Sequence, residues 1–90
     1  VNFTAKEFKN FYFNVSTPGK YRVEIVQSDS TGIVPFDTIG IDKLYDFNFN
    51  PVTVIGSRDF NVTETGNYSI TLKNHTNSEQ KVRIHVVKVS

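Results

Sequence analysis

Apolar residues recur at every second position through most of this chain. The alternating runs lie at residues 9–16, 20–27, 51–56, 58–63, 67–73 and 80–89. Alternation over about 4–8 residues is typical of β-strands with one buried face. Turn-forming segments at residues 17–20, 28–32, 64–67 and 74–79 separate most of the runs. The sequence therefore predicts an all-β fold: one antiparallel two-sheet β-sandwich of about seven strands, Ig-like or jelly-roll-like, over residues 1–90.

The inward-facing positions of these runs form the predicted core. They are Phe11, Phe13, Val15, Tyr21, Val23, Ile25, Phe60, Val62, Tyr68, Ile70, Leu72, Val82 and Ile84. Two segments leave alternatives open. Residues 41–47 fit one helical turn, a loop or a short strand. The adjacent Val86 and Val87 break the alternation, through either a bulge or burial on both faces.

The chain contains an internal repeat. Residues 13–25, FNVSTPGKYRVEI, align without gaps with residues 60–72, FNVTETGNYSITL, and five of the thirteen positions are identical. The pattern predicts a strand–turn–strand unit used twice, with Gly19 and Tyr21 matched by Gly66 and Tyr68. Gly19 follows Pro18, as in a type II turn that needs a positive φ. Because that turn twists against a tight hairpin, the units favour connections that cross between two sheets.

Residues 64–68, ETGNY, resemble the tyrosine corner of immunoglobulin-like sandwiches. The resemblance implies that the Tyr68 ring packs in the core while its hydroxyl bonds to backbone a few residues upstream. Tyr21 repeats the arrangement, with Thr17 in place of the acidic residue. Ile70 stands where an antibody-type domain has its second cysteine, and the chain has no tryptophan, so it departs from the standard immunoglobulin pattern.

Residues 60–89 are also similar to the C-terminal half of GOLD-type β-sandwich modules. The shared pattern is a G-x-Y strand that ends in an asparagine, followed by a turn and the last strand. The resemblance implies a non-enzymatic module in luminal or extracellular space that acts through protein contacts.

Composition excludes several classes of protein. The net charge of +1 lacks the basic excess of a nucleic-acid binder. The absence of cysteine excludes disulfides, thiolate metal sites and a cysteine nucleophile. No apolar run approaches the ~18 residues of a membrane-spanning helix, so no transmembrane segment is expected in this fragment.

Glycosylation sequons indicate the compartment. Five N-x-[ST] sequons make Asn2, Asn14, Asn61, Asn67 and Asn74 candidate glycosylation sites. Alternation or a neighbouring turn places most of them at the surface, where a glycan needs to be. The sequence therefore predicts an exported, cell-surface domain without disulfides, a combination that resembles archaeal cell-surface and appendage proteins. The chain does not begin with Met, so we expect a processed or trimmed fragment.

No residue pattern indicates catalysis or a cofactor. His75 and His85 lack metal-ligand spacing, and Asp37, Asp42 and Asp46 lack the spacing of a calcium loop. We therefore expect a non-enzymatic structural or interaction module that binds a protein partner or further copies of itself. Two alternatives stay open. A small-ligand or carbohydrate-binding module predicts a concave aromatic patch, and a hydrolase predicts a histidine near Ser or Asp in a cleft.

The most apolar loop-like segment is residues 33–41, IVPFDTIGI. One interpretation is an exposed contact patch formed by Ile33, Val34, Phe36 and Ile39. The other is a strand at the sandwich edge, to which Pro35 confines it.

Overall fold

The computed structural model describes all residues, Val1–Ser90, and contains eight strands and no helix. The strands are β1 (Asn2–Phe3), β2 (Phe8–Val15), β3 (Gly19–Gln27), β4 (Ile39–Tyr45), β5 (Val54–Ile55), β6 (Asp59–Val62), β7 (Gly66–Asn74) and β8 (Gln80–Lys88). One sheet has the order β1-β8-β3-β6-β5 and the other the order β2-β7-β4. Every pair is antiparallel, and the sheets enclose one apolar core. The predicted all-β sandwich is confirmed, with eight strands rather than about seven.

The two repeat units pair with each other reciprocally. The first strand of each unit lies beside the second strand of the other, so Phe13 faces Tyr68 and Phe60 faces Tyr21. Both units cross from one sheet to the other at their turn, as predicted: β2 to β3, and β6 to β7. The repeat is therefore an approximate two-fold relation within the sandwich.

Both tyrosine corners are present. The Tyr68 hydroxyl donates to the Glu64 carbonyl and the Tyr21 hydroxyl to the Thr17 carbonyl, each over 2.6 Å. Each tyrosine ring stacks on the phenylalanine of the other unit, with ring centroids 5.9 Å apart for Phe13 and 6.0 Å apart for Phe60. Four aromatic rings thus form one cluster that joins the two sheets.

The glycine of each unit has a positive φ, which is 154° at Gly19 and 147° at Gly66. Neither position has room for a side chain. A Cβ would lie 2.6 Å from the Ser90 carbonyl oxygen at Gly19 and 2.7 Å from the Phe47 ring at Gly66. The predicted type II turn at Gly19 is wrong, because that turn requires a φ of about 80°. The glycine instead opens β3, where the chain enters the other sheet.

The two segments left open by the sequence are both strands. Residues 41–47 contain most of β4, whose pairing with β7 shifts between Ile41 and Lys43. The bulge considered near Val86 is absent, since β8 pairs with β3 without a shift. Val86 and Val87 are both half-buried, so burial on both faces explains the broken alternation.

Ten of the thirteen predicted core residues are buried. The other three, Phe11, Phe13 and Ile84, are only half-buried, because they line an open side of the sandwich. Four further residues complete the core: Phe3, Val34, Ile39 and Leu44. They lie in β1, in β4 and in the connection before β4. Because the chain forms no helix, it contains no helix that could span a membrane.

Candidate functional site

An apolar groove opens between the edge of the small sheet and the edge of the large sheet. We call it the β2–β8 groove, and its volume is about 390 Å³. The apolar residues that line it come from β2, from β8, from the neighbouring strands and from the N-terminus: Phe11, Tyr12, Phe13, Val15, Ile84, Val86, Tyr21, Ile70 and Val1. The inward periodicity of β2 and β8 produces this surface, since every second residue of both strands points toward the core.

Both walls of the groove are strand edges without a partner over most of their length. β2 is the last strand of the small sheet, and it pairs only with β7. β8 pairs with β1 only through Gln80 and Lys81, with Val82 bonded to Val1, so its edge is free from residue 83 to 88. Such an edge offers a row of N–H and C=O groups to another strand.

Charged side chains flank the groove at the start of β2. The Lys9 ammonium lies 3.5 Å from a Glu7 carboxylate oxygen and 6.0 Å from the centroid of the Phe3 ring. The Glu7 carboxylate accepts the Thr4 N–H over 2.8 Å, and this hydrogen bond is the main reason that its pKa is lowered. An inward-pointing lysine at this end discourages unspecific edge-to-edge pairing.

The predicted contact patch at residues 33–41 is wrong. Val34 and Ile39 are buried at 3% and 0% exposure, because the segment crosses from the large sheet to the small one. The Val34 N–H donates to the Ile25 carbonyl, and the Phe36 ring lies beneath the Arg58 guanidinium at 4.8 Å. Of the four residues of the patch, only Ile33 is exposed.

Four of the five sequon asparagines are exposed: Asn2, Asn14, Asn61 and Asn67. Asn14 and Asn67 face each other across β2 and β7, and the Asn14 carboxamide nitrogen donates to Asn67 over 3.0 Å. A glycan on Asn14 would replace one of the two hydrogens of this nitrogen and would leave the other for the hydrogen bond.

The fifth sequon asparagine, Asn74, is fully buried. Its Nδ2 donates to the carbonyls of Thr4 and Ser78, at 3.0 and 2.8 Å. Its Oδ1 accepts from the N–H and the hydroxyl of Thr76, at 3.0 and 2.7 Å. The surface position expected for a glycan is therefore wrong here. The same Asn-x-Thr letters also encode an Asx turn, and that is the structure they form.

The four predicted structural residues lie where the chain crosses between the sheets: Gly19 and Tyr21 at one crossing, Gly66 and Tyr68 at the other. Burial of the Tyr68 hydroxyl raises its pKa above the ordinary 10.0, and the nearby Asp46 and Glu64 carboxylates raise it further. This corner sits at the opposite side of the sandwich from the β2–β8 groove, beside residues 50–52.

An ion pair joins two strands on the outer face of the large sheet. Arg22 and Asp59 face each other across β3 and β6, and Arg22 donates two hydrogen bonds to the carboxylate, at 2.8 and 3.2 Å. These hydrogen bonds are the main cause that lowers the pKa of Asp59 and raises that of Arg22, and Lys20 adds to the effect on Asp59 from 3.6 Å.

The histidines lie on exposed surface outside the groove. His85 faces Glu24 across β8 and β3, and the His75 N–H donates to the Thr38 carbonyl. No group of three His, Asp or Glu side chains lies close enough to hold a metal ion.

Comparison with known proteins supplies no relative. The chain matches no protein-family model, and searches of curated proteins and of solved structures find no match.

Proposed function

We propose that this chain is a non-enzymatic protein-interaction module that binds an extended strand of a partner in the β2–β8 groove. The observation that carries the proposal is an apolar groove whose two walls are unpaired strand edges. In strand addition, main-chain hydrogen bonds supply affinity, and pockets for alternate side chains supply specificity. Here the free edge of β8 offers the hydrogen bonds, and Phe11, Phe13 and Ile84 offer apolar contacts.

The size of the groove suits side chains of a strand. A cavity of about 150 Å³ holds one benzene molecule, so 390 Å³ has room for two or three groups of that size. The inward side chains of one strand stand two residues apart. A five-residue segment presents two or three of them.

A library of extended nine-residue peptides tests the proposal. We expect the selected binders to share aliphatic residues at alternate positions and to lose binding to the Ile84→Lys variant. His85→Lys is the matched control, because it adds the same charge one residue along on the exposed face. Binders without the alternating pattern, or binders that ignore Ile84→Lys while its unfolding midpoint stays normal, would refute the proposal.

We further propose that the module is exported and exposed on a cell surface, as in archaeal surface proteins. The exposed sequons at Asn2, Asn14, Asn61 and Asn67 support this proposal, as does the resemblance of the Tyr68 segment to GOLD-type and immunoglobulin-like modules. Intact-mass measurement on protein from its natural source tests it. We expect glycan mass on these asparagines, and an unmodified mass would remove the main support.

A second candidate function is binding of a saccharide to the outer face of the small sheet. Tyr12, Ser69 and Tyr45 lie in one cross-strand row, with Tyr12 74% exposed. The two tyrosines are separated by one strand, and therefore by about 10 Å. Asn10 lies beside this row and accepts hydrogen bonds from the hydroxyls of Ser69 and Thr71.

Retention on immobilised polysaccharides tests the second candidate. We expect Tyr12→Ala to abolish retention while Ile84→Lys leaves it unchanged. Retention that survives Tyr12→Ala would refute this function. A glycan on Asn14 or Asn67 would cover the same face, so retention is expected only for protein without a glycan at these two positions.

A further inference from the structure

The two-fold relation between the repeats extends beyond the repeats themselves. Val23 in β3 and Ile70 in β7 are matched residues of the two units. Val86 of β8 faces Val23, and Leu44 of β4 faces Ile70, so β8 lies beside β3 as β4 lies beside β7. The strands β8-β3-β6 of the large sheet therefore correspond to β4-β7-β2 of the small one. It follows that the β2–β8 groove has a counterpart on the other side of the sandwich, between β6 and β4.

The counterpart is bridged by the chain itself, and a cavity of about 320 Å³ remains beside the bridging segment. Residues 51–55, which we call the plug, cross from the edge of β4 to the edge of β6. Pro51 bridges Tyr45 of β4, and the Val52 N–H donates to the Leu44 carbonyl over 2.9 Å. Val54 then faces Phe60 of β6.

The plug inserts two side chains between the sheets. Val52 and Val54 stand two residues apart, and both pack against the core. Between them, Thr53 is exposed. The plug therefore covers its groove with the alternation of a β-strand.

Residues that the two-fold relation matches are buried to different extents on the two sides of the sandwich. Phe60 is fully buried, whereas its repeat partner Phe13 is half-buried. Leu44 is 3% exposed, whereas Val86, in the equivalent place, is half-buried. The matched residues differ in what covers them: the plug lies over one side, whereas on the other side Val1 pairs with Val82 and lines part of the β2–β8 groove.

We infer that the β2–β8 groove binds a plug-like segment of another protein chain, in a defined direction. The inference rests on the proposed function and names its partner by chemistry: an extended segment with two β-branched aliphatic residues two positions apart. Mapped through the two-fold relation, its first residue lies opposite Val87 of β8 and its fourth opposite Phe13 of β2. The segment runs antiparallel to both strands.

The charge of the β8 edge favours a particular partner sequence. Arg83 and Lys88 are exposed along this edge. An acidic residue at the outward position between the two aliphatic residues would face this basic strand, whereas a basic residue there would be repelled.

A peptide with the sequence of residues 50–56, NPVTVIG, is the direct probe. We expect it to shift the methyl resonances of Val15, Ile84 and Val86 and to protect the edge amides of β2 and β8 from exchange. A control peptide with aspartate in place of both valines is expected to bind roughly a hundredfold more weakly, because two buried valine side chains are lost. Replacement of the central threonine by glutamate is expected to strengthen binding, and replacement by lysine to weaken it.

Spin labels on the peptide test its direction. A label on its N-terminus should broaden the Val87 amide, and a label on its C-terminus the Tyr12 amide. The reverse pattern, or equal binding of the aspartate peptide, would overturn the inference.

The remaining outcomes separate the inference from the proposed function. If library peptides bind in the groove but NPVTVIG does not, the inference fails and the proposed function stands. If no peptide binds in a way that depends on Ile84, both fail. A dimer of the free protein that Ile84→Lys dissociates would identify a second copy as the occupant and overturn the choice of a separate partner.

Discussion

Truncation of the two matched phenylalanines should have unequal effects on stability. Phe60 is fully buried, so Phe60→Ala should cost about 3–5 kcal/mol of the free energy of unfolding. Phe13 stands at the open groove and is half-buried, so Phe13→Ala loses about half of a transfer free energy of 1.5–3 kcal/mol and leaves little closed cavity. We expect a cost of about 1–1.5 kcal/mol there. Each ring stacks on one tyrosine at nearly the same distance, so the stacking cancels in the comparison, and Phe60 has one further tilted contact, with the Tyr68 ring at 6.5 Å.

Urea unfolding followed by far-ultraviolet circular dichroism measures both costs. The slope of the transition should stay constant, because the unfolded surface area changes little. If Phe60→Ala does not fold, the pair Phe60→Leu and Phe13→Leu should give the same order with smaller differences. Equal costs, within about 0.5 kcal/mol, would refute the reasoning that the plug covers Phe60 while Phe13 stands at an open groove. A bound groove peptide should raise the cost of Phe13→Ala toward that of Phe60→Ala.

The remaining predictions concern the corners, the turns and pH. Tyr68→Phe should cost about 1 kcal/mol through the lost hydrogen bond. The raised pKa of Tyr68 adds stability that is present below pH 10.0 and is lost as pH rises above it. The Tyr68→Phe variant should therefore not lose stability in this way at alkaline pH. An unchanged unfolding midpoint and pH profile would contradict the tyrosine corner. Gly66→Ala should cost about 2–3 kcal/mol, because its φ is 147°. Gly32→Ala is the control, and equal unfolding midpoints would count against the strain. Asn74→Ala should cost about 2–4 kcal/mol by orphaning buried backbone groups, and a glycan found on this residue in the folded protein would be incompatible with its burial. The lowered pKa of Asp59 adds stability that is present above its ordinary 3.8 and is lost as pH falls below it; Asp59→Asn should flatten the acid side of a stability–pH curve, and an unaltered curve would argue against the ion pair.

Parts of the candidate site were visible in the sequence. The alternation of β2 identified Phe11 and Phe13 as inward residues, which they are, yet it could not show that the groove beside them is open. Alternation reports which way a side chain points, and burial depends on what another segment places against it. The plug shows the same limit, since residues 51–56 read as an ordinary strand and their role follows only from the two edges that they bridge.

Two sequence predictions, the contact patch and the surface position of Asn74, were wrong for related reasons. Val34 and Ile39 resemble an exposed apolar patch when Pro35 and Gly40 are read as loop signals, yet the connection carries them under the sandwich edge. Asn74 resembles a surface sequon, yet its carboxamide ties two loops that lie 70 residues apart in sequence. A local pattern does not show which distant loop packs against it.

Local periodicity and the repeat were enough to determine the all-β class, most strands and the crossings between sheets, and the resemblance to a tyrosine corner indicated the two tyrosine hydrogen bonds. These features depend on residues that are close in sequence, on positions that permit a positive φ, and on the direction of side chains along a strand. Contacts between residues distant in sequence decide the rest: the strand order, the reciprocal pairing of the repeats, and the difference between the groove that the plug covers and the groove that is open. Edges acquire partners only when the whole sandwich assembles, so the open side of this molecule appears only in its tertiary structure.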